Sequence, residues 1–234
     1  MRVDAALAAL REQARPAELA GMARFGINIE RRLGLSIPQL RRLAKALGRD
    51  HGLALALWDS GIPDAQILAG FIADPAQITS RQMDAWVKDM QSWDVCDQVC
   101  GSAFLGSALA WRKVAAWATR RDEFVRRAAF ALLATLAVHD KAADDARFIA
   151  ALPLIELAAS DERNFVKKAV NWALRNIGKR NPALKVHAVA CARRLRATDS
   201  RAARWVAADA LRELDRTAPA PARMSRTSPT VATS

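Results

Sequence analysis

The chain has 234 residues, with 36 Lys and Arg against 24 Asp and Glu, a formal net charge of +12, and 52% hydrophobic residues, enough for a core. No run approaches the roughly 18 to 20 consecutive apolar residues of a membrane span, and Met1-Arg2-Val3-Asp4 does not read as the start of a signal peptide. Three cysteines without a C-x-x-C, and the scattered His51, His139 and His187, argue against a disulfide framework and a structural zinc. The expectation is a cytoplasmic protein with an acidic partner, no metal and no cofactor.

Abundant alanine, no tyrosine and only 10 glycines favour helices over sheets. Residues 3–14 and 16–25 read as a helical pair. Ser36-Ile37-Pro38-Gln39 has the form of a capping box, opening a helix over 39–47 that Gly48 closes. Helices are predicted at 52–59, 63–73, 80–91, 94–109, 111–120, 123–138 and 141–159, with Pro153 expected to break the last. Three more follow at 162–179, 182–196 and 199–215. From Thr217 the chain gains Pro, Ser and Thr and loses its periodicity. Residues 1–216 are therefore expected to form one helical domain and 217–234 a disordered tail.

Phe124-Val125-Arg126-Arg127-Ala128-Ala129 matches Phe165-Val166-Lys167-Lys168-Ala169-Val170 at an offset of 41, and Arg204-Trp205-Val206-Ala207-Ala208 is similar about 40 residues later. Short helices recurring at that period predict an all-α solenoid of stacked antiparallel helical pairs, HEAT-like or armadillo-like, with a concave face. Charge is segregated along it. Residues 50–97 carry 8 acidic and 2 basic groups, net −6, whereas residues 163–204 carry 12 basic and 1 acidic, net +11. The opposition favours polyanion binding in a basic groove over a merely solvated surface.

Three places could carry chemistry. In the 164–179 helix, Val166, Val170, Ala173 and Ile177 form an apolar stripe. Lys168, Trp172, Arg175 and Lys179 form a basic face two positions round. An indole there stacks on a base or faces a cation, or else covers a neighbouring repeat with its edge. In Ser92-Trp93-Asp94-Val95-Cys96-Asp97, Ser92 or Asp94 could cap the following helix, and Cys96, Cys100 and Phe104 read as core. Asp97 lies on another face, with Gly101 leaving space above it; it opposes cationic charge or orients water, or forms an ordinary ion pair with an arginine. Arg126 and Arg127 suit paired phosphate oxygens, or are a solvated pair. His139-Asp140 reads as a helix end, and no Gly-rich phosphate loop or H-E-x-x-H occurs.

Met22-Ala23-Arg24-Phe25, Ser92-Trp93-Asp94-x-x-Asp97, Arg126-Arg127-Ala128-Ala129 and Lys168-Ala169-x-x-Trp172-x-Leu174-Arg175, in that order, resemble the AlkD-like DNA alkylation repair family over roughly residues 20–215. The resemblance implies a HEAT-like DNA-binding solenoid. It also implies hydrolytic excision of cationic N3- or N7-alkylpurines from double-stranded DNA, without strand-cleaving lyase activity. On that reading Asp97 is the catalytic carboxylate, Trp93 and Trp172 wall the lesion, and Arg127 holds the backbone. Asp94 and Phe25 support them, and Arg126, Lys168, Arg175 and Lys179 contact DNA. Ser92 stands where active members often carry a second Trp, and Phe25 where they often have Tyr. Some branches bind DNA with little or no glycosylase activity, so a non-catalytic protein recognising distorted or branched DNA is the alternative. A protein-interaction scaffold would need an apolar or mixed groove, which 163–204 does not provide; no membrane or protein partner is implied.

Overall fold

The computed structural model describes residues 2–216, and the expected tail at 217–234 lies outside the described residues. Among the described residues there are thirteen α-helices and no strand. In chain order they are α1 (Val3–Glu12), α2 (Leu19–Arg24), α3 (Ile37–Leu47), α4 (His51–Asp59), α5 (Pro63–Ile72), α6 (Ser80–Asp89) and α7 (Trp93–Val99), then α8 (Ala110–Ala118), α9 (Glu123–His139), α10 (Asp145–Ala158), α11 (Asn164–Arg180), α12 (Pro182–Arg196) and α13 (Arg201–Arg216). A 3₁₀ turn (Pro16–Glu18) precedes α2 and a π turn (Cys100–Phe104) follows α7. None of these helices is long and apolar enough to cross a membrane.

Packing repeats along the chain. Helices α3, α5, α7, α9, α11 and α13 touch in succession, while α8, α10 and α12 form a second row behind them. Each of α4/α5, α8/α9, α10/α11 and α12/α13 is a sequential pair, so the chain is a stack of helical pairs in the HEAT manner. The repeated motif has a physical consequence. Phe124 and Phe165 stack with ring centroids 5.7 Å apart, and Lys167 lies 5.2 Å over the Trp205 ring, so equivalent positions of adjacent repeats meet. The stripe of Val166, Val170, Ala173 and Ile177 is wholly buried.

Local signals act largely as their chemistry dictates. Ser36 N–H donates to Gln39 Oε1 at 3.0 Å, closing the capping box, and Gly48 ends α3 at φ +71°, where a side chain would be strained. Asp50, Thr79, Asp144 and Asn181 accept from the N3 backbone of α4, α6, α10 and α12.

Three expectations need correction. Pro153 does not break α10, which runs through it. Its ring faces solvent, so the carbonyl left without an N–H partner lies on the wet side of the helix. The single helix predicted at 94–109 instead widens into the π turn, an adjustment that buries Cys100, Ala103 and Phe104 together. Gly101 does not open onto empty space either, because a Cβ there would be in van der Waals contact with Thr135 of α9 at 3.4 Å.

The tryptophans divide. Trp58, Trp86 and Trp117 are core, with Trp58 and Trp86 stacked 4.2 Å apart. The indoles of Trp58, Trp111 and Trp117 each donate to a carboxylate, of Asp89, Asp140 and Asp84, at 2.8 to 3.0 Å. Part of the acidic segment is thus there to satisfy buried indoles. Trp93 and Trp172 are only half-buried, and they meet elsewhere.

Candidate functional site

Trp93 opens α7, and Asp97 follows one turn later on the same face. Arg127 is in the second turn of α9; Phe165, Lys168, Trp172 and Arg175 descend one side of α11. Together with Phe25, from the turn that ends α2, these residues line one cleft of about 400 Å³. Four aromatic walls surround one carboxylate and three cations.

The centre of the cleft is an ion pair. Arg127 donates from Nε and Nη2 to Asp97 Oδ1, at 3.1 and 2.9 Å, and from Nη2 to Oδ2 at 2.7 Å. Its Nη1 donates to the Phe165 carbonyl at 2.6 Å, and its guanidinium lies 5.9 Å over the Trp93 ring. Burial pushes the Asp97 carboxyl above its ordinary range, against the pull of the Arg127 guanidinium. Burial also opposes the charge on Arg127, but Asp97 outweighs it and raises that group. The Asp97 side chain keeps about 16% exposure, so the carboxylate still opens onto the cleft.

A second layer fixes this arrangement. The Trp93 indole donates to the Phe25 carbonyl at 3.1 Å. Phe25 itself is 78% exposed on a turn closed by Gly26 at φ +72°, where a Cβ would come within 3.4 Å of the Phe165 ring. Arg32, buried, grips Asp94 at 2.7 and 2.9 Å, and Ser92 Oγ donates to Asp94 Oδ1 at 2.5 Å. Ser92 occupies the N-cap position of α7 without a side-chain cap bond, and the Asp94 carboxylate turns to Arg32 rather than the helix end. The fully buried Asp64 accepts from Leu33 and Leu35 N–H at 2.8 and 2.9 Å, pinning the loop that carries Arg32.

The structure therefore brings Phe25, Trp93, Asp97, Arg127, Lys168, Trp172 and Arg175 together, whereas Asp94 does not line the cleft and is bound to Arg32 and Ser92. Arg126 and Lys179 do not line the cleft. Arg126 pairs with Asp161 at 2.8 Å and donates to the Thr119 carbonyl. Lys179 pairs with Glu213 at 2.6 Å, and Arg175 also pairs with Glu213 and lies 3.6 Å from Asp209. Lys168 is exposed and has no hydrogen bond or ion pair among the described residues.

Sequence reasoning missed Arg32, Asp64 and Phe165. The first is one of two adjacent arginines, Arg31-Arg32, and nothing local marks which of them is buried. Asp64 directly follows Pro63 in a first helical turn, a position that reads as a dipole partner. Only Phe165 had a signal, through its match to Phe124 in the repeat.

The DNA alkylation repair enzyme family matches residues 6–220, almost the whole chain. The chain belongs to the DNA alkylation repair enzyme family. No curated protein matches the sequence significantly. Among solved structures, one described as a new family of proteins related to the HEAT-like repeat DNA glycosylases, with affinity for branched DNA structures, superposes with a TM-score of 0.77. It is 20% identical, and the match covers 92% of this chain and 95% of that one. For this member of the DNA alkylation repair enzyme family, that likeness establishes the HEAT-like fold. Among its described residues, no three His, Cys, Asp or Glu side chains converge to hold a metal ion.

Proposed function

We propose that the protein is a monofunctional DNA glycosylase that hydrolyses the N-glycosidic bond of cationic N3- and N7-alkylpurines in duplex DNA. The observation that carries this reading is a single carboxylate, Asp97, set among Trp93, Trp172 and Phe165 in a cleft rimmed by cations. An N-alkylated purine is already positively charged and leaves with the electron pair of the glycosidic bond. Positive charge then develops on the sugar, and water adds at the anomeric carbon with loss of a proton. The site has to stabilise that charge and position the water, which a fixed carboxylate and electron-rich indole faces can do. Arg127 pulls against the upward push of burial on the Asp97 carboxyl and fixes its orientation. A lyase step would need an amine nucleophile beside the sugar; Lys168 is the only amine lining the cleft, and we assign it to phosphate instead.

The test is release of 7-methylguanine or 3-methyladenine from methylated duplex by the purified protein. Asp97→Asn abolishes release and leaves duplex affinity nearly unchanged. Absence of release from the wild type overturns the glycosylase reading.

A second reading is favoured by one observation: both oxygens of Asp97 are already engaged by Arg127. If that pair stays closed on DNA, the cleft is a non-catalytic platform for distorted or branched DNA, the affinity described for the structurally similar proteins. Tighter binding to a four-way junction than to intact duplex, with no base release, identifies it.

A further inference from the structure

On the other side of the loop that carries Asn28 lies a second concavity, of about 480 Å³, larger than the cleft. The two share a wall, in which Asn28 N–H donates to Ser92 Oγ at 3.2 Å. Their chemistry is opposed. Glu30, Asp59 and Asp89 line the second concavity, and Arg31 is the one cation among its lining residues.

Arg31 does not neutralise them. Its Nη2 donates to the Ser60 carbonyl at 2.7 Å, and its guanidinium lies so close over Gly61 that a Cβ there would come within 2.7 Å of Nη1. None of Glu30, Asp59 or Asp89 has an ion-pair partner among the described residues. Asp89 is held in place through Oδ2, which accepts from the buried Trp58 indole at 3.0 Å, and its Oδ1 is left open.

An independent observation lies in the pocket wall. Gln66 of α5 is 8% exposed, lines this concavity, and its carboxamide makes no hydrogen bond among the described residues. Its backbone and stem are packed away, but its amide nitrogen and oxygen are not sealed from solvent, so they open into the concavity and are free to pair with what enters it.

We propose that this concavity binds an organic cation rich in N–H donors, an alkylammonium or guanidinium group. The Gln66 carbonyl accepts one of its N–H groups, and Asp59, Asp89 and Glu30 take the charge and the remaining donors. A nucleic-acid phosphate is repelled by the three carboxylates, and an apolar ligand would leave the polar lining unpaired. The same head group is offered by a free polyamine and by a Lys or Arg side chain of another protein. The proposal is independent of the glycosylase reading, since none of these residues lines the first cleft.

Calorimetric titration of the full chain with agmatine, with spermidine and with a capped arginine-containing pentapeptide tests it. Saturable one-to-one binding of at least one probe is expected, weakened about tenfold or more by Asp59→Asn and by Gln66→Leu. Duplex affinity and melting temperature stay at wild-type values in Asp59→Asn, whose side chain is exposed. A tighter complex with the peptide than with the free amines assigns the site to a protein partner, and the reverse order to a polyamine. Lack of saturable binding of all three probes overturns the proposal. So does binding that Asp59→Asn and Gln66→Leu leave unchanged, which would mark a diffuse attraction to acidic surface.

Discussion

Arg127 reaches Asp97 across two helices with three hydrogen bonds of 2.7 to 3.1 Å, and its remaining nitrogen holds the Phe165 carbonyl. The carboxylate and its counter-ion are therefore one unit, anchored at a third helix. Either group of such a buried pair, left alone, would be an uncompensated charge.

That unit sets the pH dependence. Burial raises the Asp97 carboxyl and Arg127 opposes it, so the acid limb of base release should lie above the ordinary carboxylate range. Removing the guanidinium in Arg127→Met removes the opposing influence. The acid limb then moves further toward neutral pH, and release at low pH falls more than release at pH 8. A pH–rate profile under single-turnover conditions reads this directly; an unmoved acid limb would assign it to another group.

Arg32 is expected to act on stability rather than on chemistry. Its guanidinium is buried against Asp94, which is joined to Ser92 and through it to the Asn28 backbone. Arg32→Met leaves Asp94 buried without its partner and should cost about 3 to 5 kcal/mol. Urea denaturation measures it, and Asp94→Asn with Arg32→Met together should cost less than the sum of the two alone.

Much of the cleft was legible in the sequence, for a geometric reason. Trp93 and Asp97, and likewise Lys168, Trp172 and Arg175, sit at helical spacings that fix a shared face wherever the helices go. Partnership across helices was not legible. Arg126 and Arg127 are adjacent and chemically identical, yet one turns to Asp161 and the other to Asp97, because their directions differ by about 100° round α9. The +11 of residues 163–204 also overstated the field. Asp209 and Glu213, just outside that window, lie against Arg175 and Lys179. The π turn after α7 was invisible too, since no proline marks it in the sequence and it shows only in the burial of Cys100 and Phe104 together.

Asp161 should govern acid stability at the start of α11. Burial alone would raise its carboxyl, but hydrogen bonds from Arg163 and Arg126 hold it down at about 2. A depressed carboxyl contributes stability that is complete above its unfolded value of about 3.8 and is lost as the pH falls toward about 2. That contribution is on the order of 2 kcal/mol. Asp161→Asn should therefore lower the melting temperature at neutral pH and flatten its decline between about pH 4 and about pH 2. An unchanged slope there would place the acid-sensitive pair elsewhere.

Trp172 should contribute through its ring face. Trp172→Phe keeps an aromatic wall in the cleft, whereas Trp172→Leu keeps only bulk. If the indole faces the cationic purine, Leu should lower the release rate by about 2- to 30-fold relative to Trp, with Phe between them. Equal losses in both variants would reduce the residue to a packing role.

Lys168 and Arg175 share the cleft rim but not their surroundings. Lys168 is exposed and unpaired among the described residues, whereas Arg175 already pairs with Glu213 and lies near Asp209. A phosphate gains more from the first cation than from one whose field is largely cancelled. Lys168→Ala should therefore weaken duplex binding severalfold and reduce the slope of log affinity against log salt by about one. Arg175→Ala should change the slope less and lower the melting temperature more, because it leaves Asp209 and Glu213 with fewer partners. Fluorescence anisotropy across a salt series, with thermal melts of both variants, separates the two. Equal slopes would show that α13 swings its acids away when DNA binds.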